Sequence, residues 1–245
     1  MMRRSFIAGA IASSVSPVWA NRAVALSGDR FIMQDQEFQL ADVAAPGLFT
    51  LQQNQSAYFD DAKSALTDLL SAPLEIRDCM PKSRWGVRRV IVRSGGATLQ
   101  ERLVTRGACR VRPESGEYDF IRGLLALEDE ARKAQRGLWS LSTYALSTAD
   151  SANYKIGSYA IIEGIPRRIG KYGSRLFINF GDDFREDFTA SATSTNHRKW
   201  KNIGIDFNAL EGRMIRVRGW VESINGPSID LQHPLQIETL DGEPV

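Results

Sequence analysis

The apolar pattern of this chain breaks once, at residues 141–153, and that break limits what the chain can fold into. The run is rich in Ser, Thr and Ala and keeps neither helical nor strand spacing, so 141–154 reads as a linker. A complete set of elements stands on each side of it. Two small cores are therefore expected from the 245 residues, not one large one.

Before the linker, alternating apolar residues predict strands at 24–33 and 37–43. Phe59, Ala62, Leu66 and Leu69 then recur at helical spacing, and Pro73 ends that helix. Strands follow at 74–77 and 87–92, separated by a basic loop. A short helix at 99–105 is closed by Gly107, and a longer one at 118–136 by Gly137. After the linker, strands are expected at 156–165, 175–180, 187–192, 214–224 and 228–238, with a helix-like stretch at 206–210. The expected class is mainly β with α (α+β): one barrel with packed helices over 23–140 and a second small barrel over 155–240.

Residues 1–20 read as a signal peptide. Arg3 and Arg4 make a positive start, residues 6–12 an apolar core, and Val18-Trp19-Ala20 a small-residue cleavage site. Arg3-Arg4-Ser5-Phe6-Ile7 fits both the general secretion route and a twin-arginine signal. No later stretch is apolar enough for a membrane helix, so the mature chain is expected to be soluble and exported, in the periplasm or secreted. In an oxidising compartment the two cysteines, Cys79 and Cys109, invite a disulfide; two buried free thiols are the alternative.

Charge excludes a globally basic polymer binder. The chain has 31 basic and 29 acidic side chains, and two of the bases, Arg3 and Arg4, lie in the leader. Basic clusters are local. Lys82, Arg84, Trp85, Arg88 and Arg89 mix cations with an aromatic, as phosphate contact and base stacking require. Arg216, Arg218 and Trp220 alternate with Ile215, Val217 and Val221, which gives one strand a cationic-aromatic face that suits oligonucleotides or oligosaccharides, or else plain solvent. His197-Arg198-Lys199-Trp200-Lys201 reads as a further basic-aromatic loop. The acids at 182–187 match no EF-hand spacing and read as a polar hairpin.

Three segments carry a resemblance: Ser27-Gly28-Asp29-Arg30, the stretch 38–47 (Phe-Gln-Leu-Ala-Asp-Val-Ala-Ala-Pro-Gly), and Trp85-Gly86-Val87. In order and spacing they resemble the active-site motifs of the staphylococcal nuclease (thermonuclease) family, D-G-D-T, R-L-x-G-I-D-A-P-E and Y-G-R. The stretches 99–108 and 131–139 resemble that family's N-x-x-L-V-x-x-G-x-A and A-x-x-x-x-G-L-W. The resemblance covers about 23–139 and implies an OB barrel with packed helices. The second unit resembles an OB-like module fused to some exported members.

That resemblance also implies a chemistry: carboxylates hold a calcium ion, a glutamate orients water, and two arginines neutralise the phosphoryl charge. Most of those groups are missing. Asp29 matches a calcium aspartate and is retained, a weak calcium candidate. Ser27, Gln39, Ala44, Gly47 and Val87 stand at the positions of an aspartate, the first arginine, the second metal aspartate, the glutamate and the second arginine. Asp42, two residues before Ala44, and Arg88, next to Val87, are the neighbours that could rescue the site. No cofactor is then required, and calcium enters only with residual activity. The leading expectation is an exported, catalytically degenerate binding or assembly module for a nucleic acid, an anionic glycan or an envelope protein. The alternative is a weak or altered metal-dependent phosphodiesterase using Asp29, Asp42 and Arg88.

Overall fold

The computed structural model describes residues 22–47, 58–183 and 185–240; the expected signal peptide lies outside them. The first unit is built on β1 (Val24–Ala25), β2 (Arg30–Met33), β3 (Gln36–Leu40), β4 (Val43–Ala44), α1 (Phe59–Leu69), β5 (Glu75–Asp78), β6 (Arg88–Ser94), β7 (Ala97–Thr98), α2 (Leu99–Thr105), β8 (Arg110–Val111) and α3 (Tyr118–Lys133). Its main sheet runs β1-β2-β3-β6-β5, with β3 parallel to β6, and β4 pairs separately with β8.

Alternation explains the sheet: Phe31, Phe38, Leu40, Val90 and Val92 all turn into one core with Leu66, Leu99, Leu103, Ile121 and Leu124 from the helices. Helix α2 starts at Thr98, whose hydroxyl accepts from the Glu101 amide while Glu101 returns a bond to the Thr98 amide. Gly107 and Gly137 do more than end helices. Both have positive φ, and a Cβ on Gly107 would sit 2.1 Å from the Arg136 carbonyl oxygen. The Leu138 amide bonds back to the Gly107 carbonyl at 2.9 Å, so two chain reversals are pressed backbone to backbone.

The segment expected as a linker is packed instead. It forms short 3-10 turns at Ser142–Tyr144 and Ala149–Lys155, and between them β9 (Ser147–Thr148) pairs in parallel with the next strand. Tyr144 joins Ala131, Leu138, Trp139 and Ile161 in a small apolar cluster. Its sparse apolar residues are spaced for packing against neighbours on both sides, which a periodicity test of one element does not detect.

The second unit comprises β10 (Tyr159–Gly164), β11 (Arg168–Tyr172), β12 (Arg175–Asn179), β13 (Thr189–Thr193), α4 (Ser194–Lys201), β14 (Ile215–Trp220), β15 (Glu222–Ser223), β16 (Pro227–Asp230) and β17 (Ile237–Thr239). β11, β12, β13, β16 and β15 pair in that order, while β14 pairs with β10. The chain runs directly from β10 to β11 and from β14 to β15, so the pairings form a ring around a core of Ile162, Ile178, Phe188, Phe207, Val217 and Ile229.

One expectation about local structure fails here. The stretch 197–201 is not a loop: it lies in α4, capped by the Thr193 hydroxyl, with Trp200 buried and the His197 ring accepting from the Phe207 amide at 3.2 Å. The helix-like stretch expected at 206–210 is a 3-10 turn, Phe207–Leu210, capped by the Asp206 carboxylate. The disulfide is also absent. Cys79 donates to the Arg89 carbonyl and Cys109, fully buried, to the Gly28 carbonyl, so each thiol has its own partner. Among the described residues no helix is long and apolar enough to cross a membrane.

Candidate functional site

A cleft of about 710 Å³ lies where the two units meet. One wall carries Ser27, Asp29, Arg30 and the stretch 44–47, with Arg110, Arg112 and Glu114. The other carries Tyr159, Trp220, Glu222, Asp230, Gln232 and Gln236. The first wall is thus built from the two degenerate motifs, and the second barrel supplies a side that sequence reasoning did not anticipate.

Local structure sets this wall. Gly28 lets the chain pass α1 closely, since a Cβ there would lie 2.7 Å from both Ala45 and Ala62. Asp29 is thereby turned inward. The Ser27 hydroxyl donates to its Oδ1 at 2.6 Å. Burial raises the Asp29 pKa, against the opposing pull of the Ser27 hydrogen bond and the Arg112 guanidinium.

The residues that could have rescued a catalytic site do not join Asp29. Asp42 lies not in a strand but in a left-handed turn, φ +63. It is fully buried and accepts from the Glu114 amide (2.9 Å), the Ser115 amide (2.8 Å) and the Ser115 hydroxyl (2.6 Å). Those bonds make it a loop staple. Arg88 is paired with Asp78 through two bonds of 2.9 and 2.6 Å, its guanidinium over the Phe38 ring, and it does not line the cleft.

Residues 37–141 match the family model of the staphylococcal nuclease homologues. Over that stretch the first unit is staphylococcal-nuclease-like. No curated protein matches the chain. The matched stretch starts after Ser27-Gly28-Asp29-Arg30, so the first motif rests on position alone.

In this nuclease-type domain the residues do not fit calcium. Among the described residues no three Asp, Glu, His or Cys side chains come together to hold a metal. Charge also opposes it: the retained carboxylate, Asp29, feels the Arg112 guanidinium, and Ala44, at the second metal position, brings no carboxylate. Arg110 is buried, donates to the Tyr159 carbonyl at 2.5 Å and lies over the Tyr144 and Tyr159 rings. Arg112 pairs with Glu114 at 3.3 Å. Sequence reasoning missed both arginines. The alternation Arg110-Val111-Arg112 was their one visible signal.

Two other candidate surfaces divide. At the basic loop, Trp85 is 78% exposed with Arg84 4.7 Å over its ring, while Arg89 is held by the Pro81 carbonyl. Only the loop tip is open. On β14 the two cations are not solvent-facing: Arg216 and Arg218 are buried against α3. Arg218 donates to Glu128 (2.7 Å), to the Val111 carbonyl (3.2 Å) and to Glu238 (2.6 Å), and Arg216 to Glu163 (2.7 Å) and Asp129 (3.3 Å). The bonds to Glu128, Val111 and Asp129, with the Tyr159 hydroxyl on the Val111 carbonyl and His233 Nε2 on the Ser115 carbonyl, join the two units. Trp220, 53% exposed on the cleft rim, is the part of that strand left open.

Proposed function

We propose that this chain is an exported, non-catalytic binding module in which a nuclease-type domain has lost its hydrolytic site and a second, OB-like barrel has become a wall of its cleft. The observation that carries this reading is the setting of Asp29: a lone retained carboxylate, desolvated, bonded to Ser27 and faced by Arg112. A hydrolytic site of this kind needs clustered negative charge for the metal, a base for water and free guanidinium groups for the phosphoryl oxygens. Here the carboxylates do not cluster in threes among the described residues, and the guanidinium groups bond to protein partners.

The rearranged phosphodiesterase retains one point in its favour, because Asp29, Arg112 and Glu114 line the same cleft. Calorimetric titration of the mature protein with calcium separates the two readings. No saturable binding up to millimolar calcium is expected. Micromolar binding that Asp29→Ala removes would establish the enzyme reading instead.

A further inference from the structure

The chemistry of the cleft walls narrows the ligand. Three guanidinium groups line it, and each has an acceptor within the protein: Arg30 on Glu37, Arg110 on the Tyr159 carbonyl, Arg112 on Glu114. Four carboxylates share the same walls, Asp29, Glu114, Glu222 and Asp230. A phosphate-bearing or otherwise anionic chain would meet those carboxylates there, and each guanidinium it could pair with already bonds within the protein.

What the cleft does offer is an aromatic platform beside carboxylate acceptors. Trp220 is 53% exposed although its register partner Tyr159 is buried, so the indole stands on the rim with one face toward the cleft's solvent. Glu222 follows it on β15. Asp230 is held between Arg175 and the Gln232 amide, which fixes its carboxylate in place. Gln236 accepts from the Gln232 and His233 amides and donates to the Arg218 carbonyl, which fixes its amide in the wall. An indole face next to two carboxylates, one of them held in place, suits a ligand with an apolar C–H face and several hydroxyl donors. The volume, about 710 Å³, is in the range of small-molecule sites and not that of a continuous polymer track.

From this we infer that the cleft between the barrels binds a short uncharged saccharide, with Trp220 stacking on one sugar ring and Glu222 and Asp230 accepting from its hydroxyls. The inference rests on the non-catalytic reading and specifies its ligand.

The test is isothermal titration of the mature protein with neutral tetrasaccharides (cello-, chito-, malto- and mannotetraose), alongside thymidine and an oligothymidylate. Saturable binding of at least one tetrasaccharide is expected, and raising salt from about 50 to about 500 mM should change it little, because no charge is neutralised. Trp220→Ala should weaken binding about tenfold or more. Trp220→Phe should retain part of it, and Trp85→Ala all of it. Because Trp220 is half exposed, unchanged melting of its variants checks that the fold persists. Absence of binding across all four sugars, binding indifferent to Trp220→Ala, or tighter binding of thymidine or the oligothymidylate to the cleft would overturn the proposal. DNA cleavage by the same sample would sink the non-catalytic reading while leaving a positive sugar titration standing.

Discussion

Arg218 of the second barrel meets Glu128 of the first at 2.7 Å, with both side chains fully shielded from water. Burial works against the Arg218 charge, but Glu128 and Glu238 more than offset it and hold its pKa above the ordinary value. Such a pair is costly to break from one side, since the remaining charge is left buried without a partner. Arg218→Ala is expected to cost about 3–5 kcal/mol in urea denaturation. Arg218→Met combined with Glu128→Leu should recover much of that loss, whereas a merely additive double variant would show that the pair is not coupled.

His233 ties the same junction and makes it sensitive to acid. The Leu235 amide can only donate and the Ser115 carbonyl can only accept, so Nδ1 is the acceptor (3.1 Å) and Nε2 carries the proton (2.8 Å). Burial lowers its pKa from 6.5, opposed by the Ser115 bond and by Asp42. A base with a lowered folded pKa contributes stability that is complete above its unfolded value and is lost as pH falls. Melting temperature should therefore drop below pH 6.5, and His233→Gln should flatten that part of the profile. An identical acid limb in the variant would assign the effect elsewhere.

Asp29 behaves in the opposite sense. Its folded pKa is raised by burial, so its contribution is favourable below the ordinary aspartate value of 3.8 and is lost as pH rises through the folded pKa. Asp29→Asn keeps an oxygen for the Ser27 hydroxyl and removes the desolvated charge. The variant should melt at or above the parent at neutral pH, with the advantage vanishing toward pH 3.8. A clear loss of stability at neutral pH would mean that the charge is needed.

The backbone contact of Gly107 with Gly137 predicts an abrupt cost. Gly107→Ala places a methyl 2.1 Å from the Arg136 carbonyl oxygen at φ +68, so it should destabilise by several kcal/mol. Gly123→Ala, with open space around its Cβ, should not. Thermal melts of the two compare strain with helix propensity directly.

Much of this could be read from residue order. Phe59, Ala62, Leu66 and Leu69 gave α1, and all four are buried, because helical spacing reports burial of one face. The vacancies at Ala44 and Gly47 were equally legible. What failed was partnership across the chain. Arg216 and Arg218 do share a strand face, as their alternation says, but no local pattern tells whether that face meets water or the acids of α3, about ninety positions earlier by the Arg218–Glu128 separation. Asp42 failed for a different reason: two turn residues break the strand before Ala44, and the left-handed backbone turns its carboxylate to the 114–115 amides.

The central claim is that the nuclease-type cleft no longer hydrolyses phosphodiesters. Single-stranded DNA incubated with the mature protein and calcium, followed by gel analysis over hours, tests it most directly. The account predicts no cleavage above the buffer control. Calcium-dependent cleavage that disappears in Asp29→Ala would contradict it.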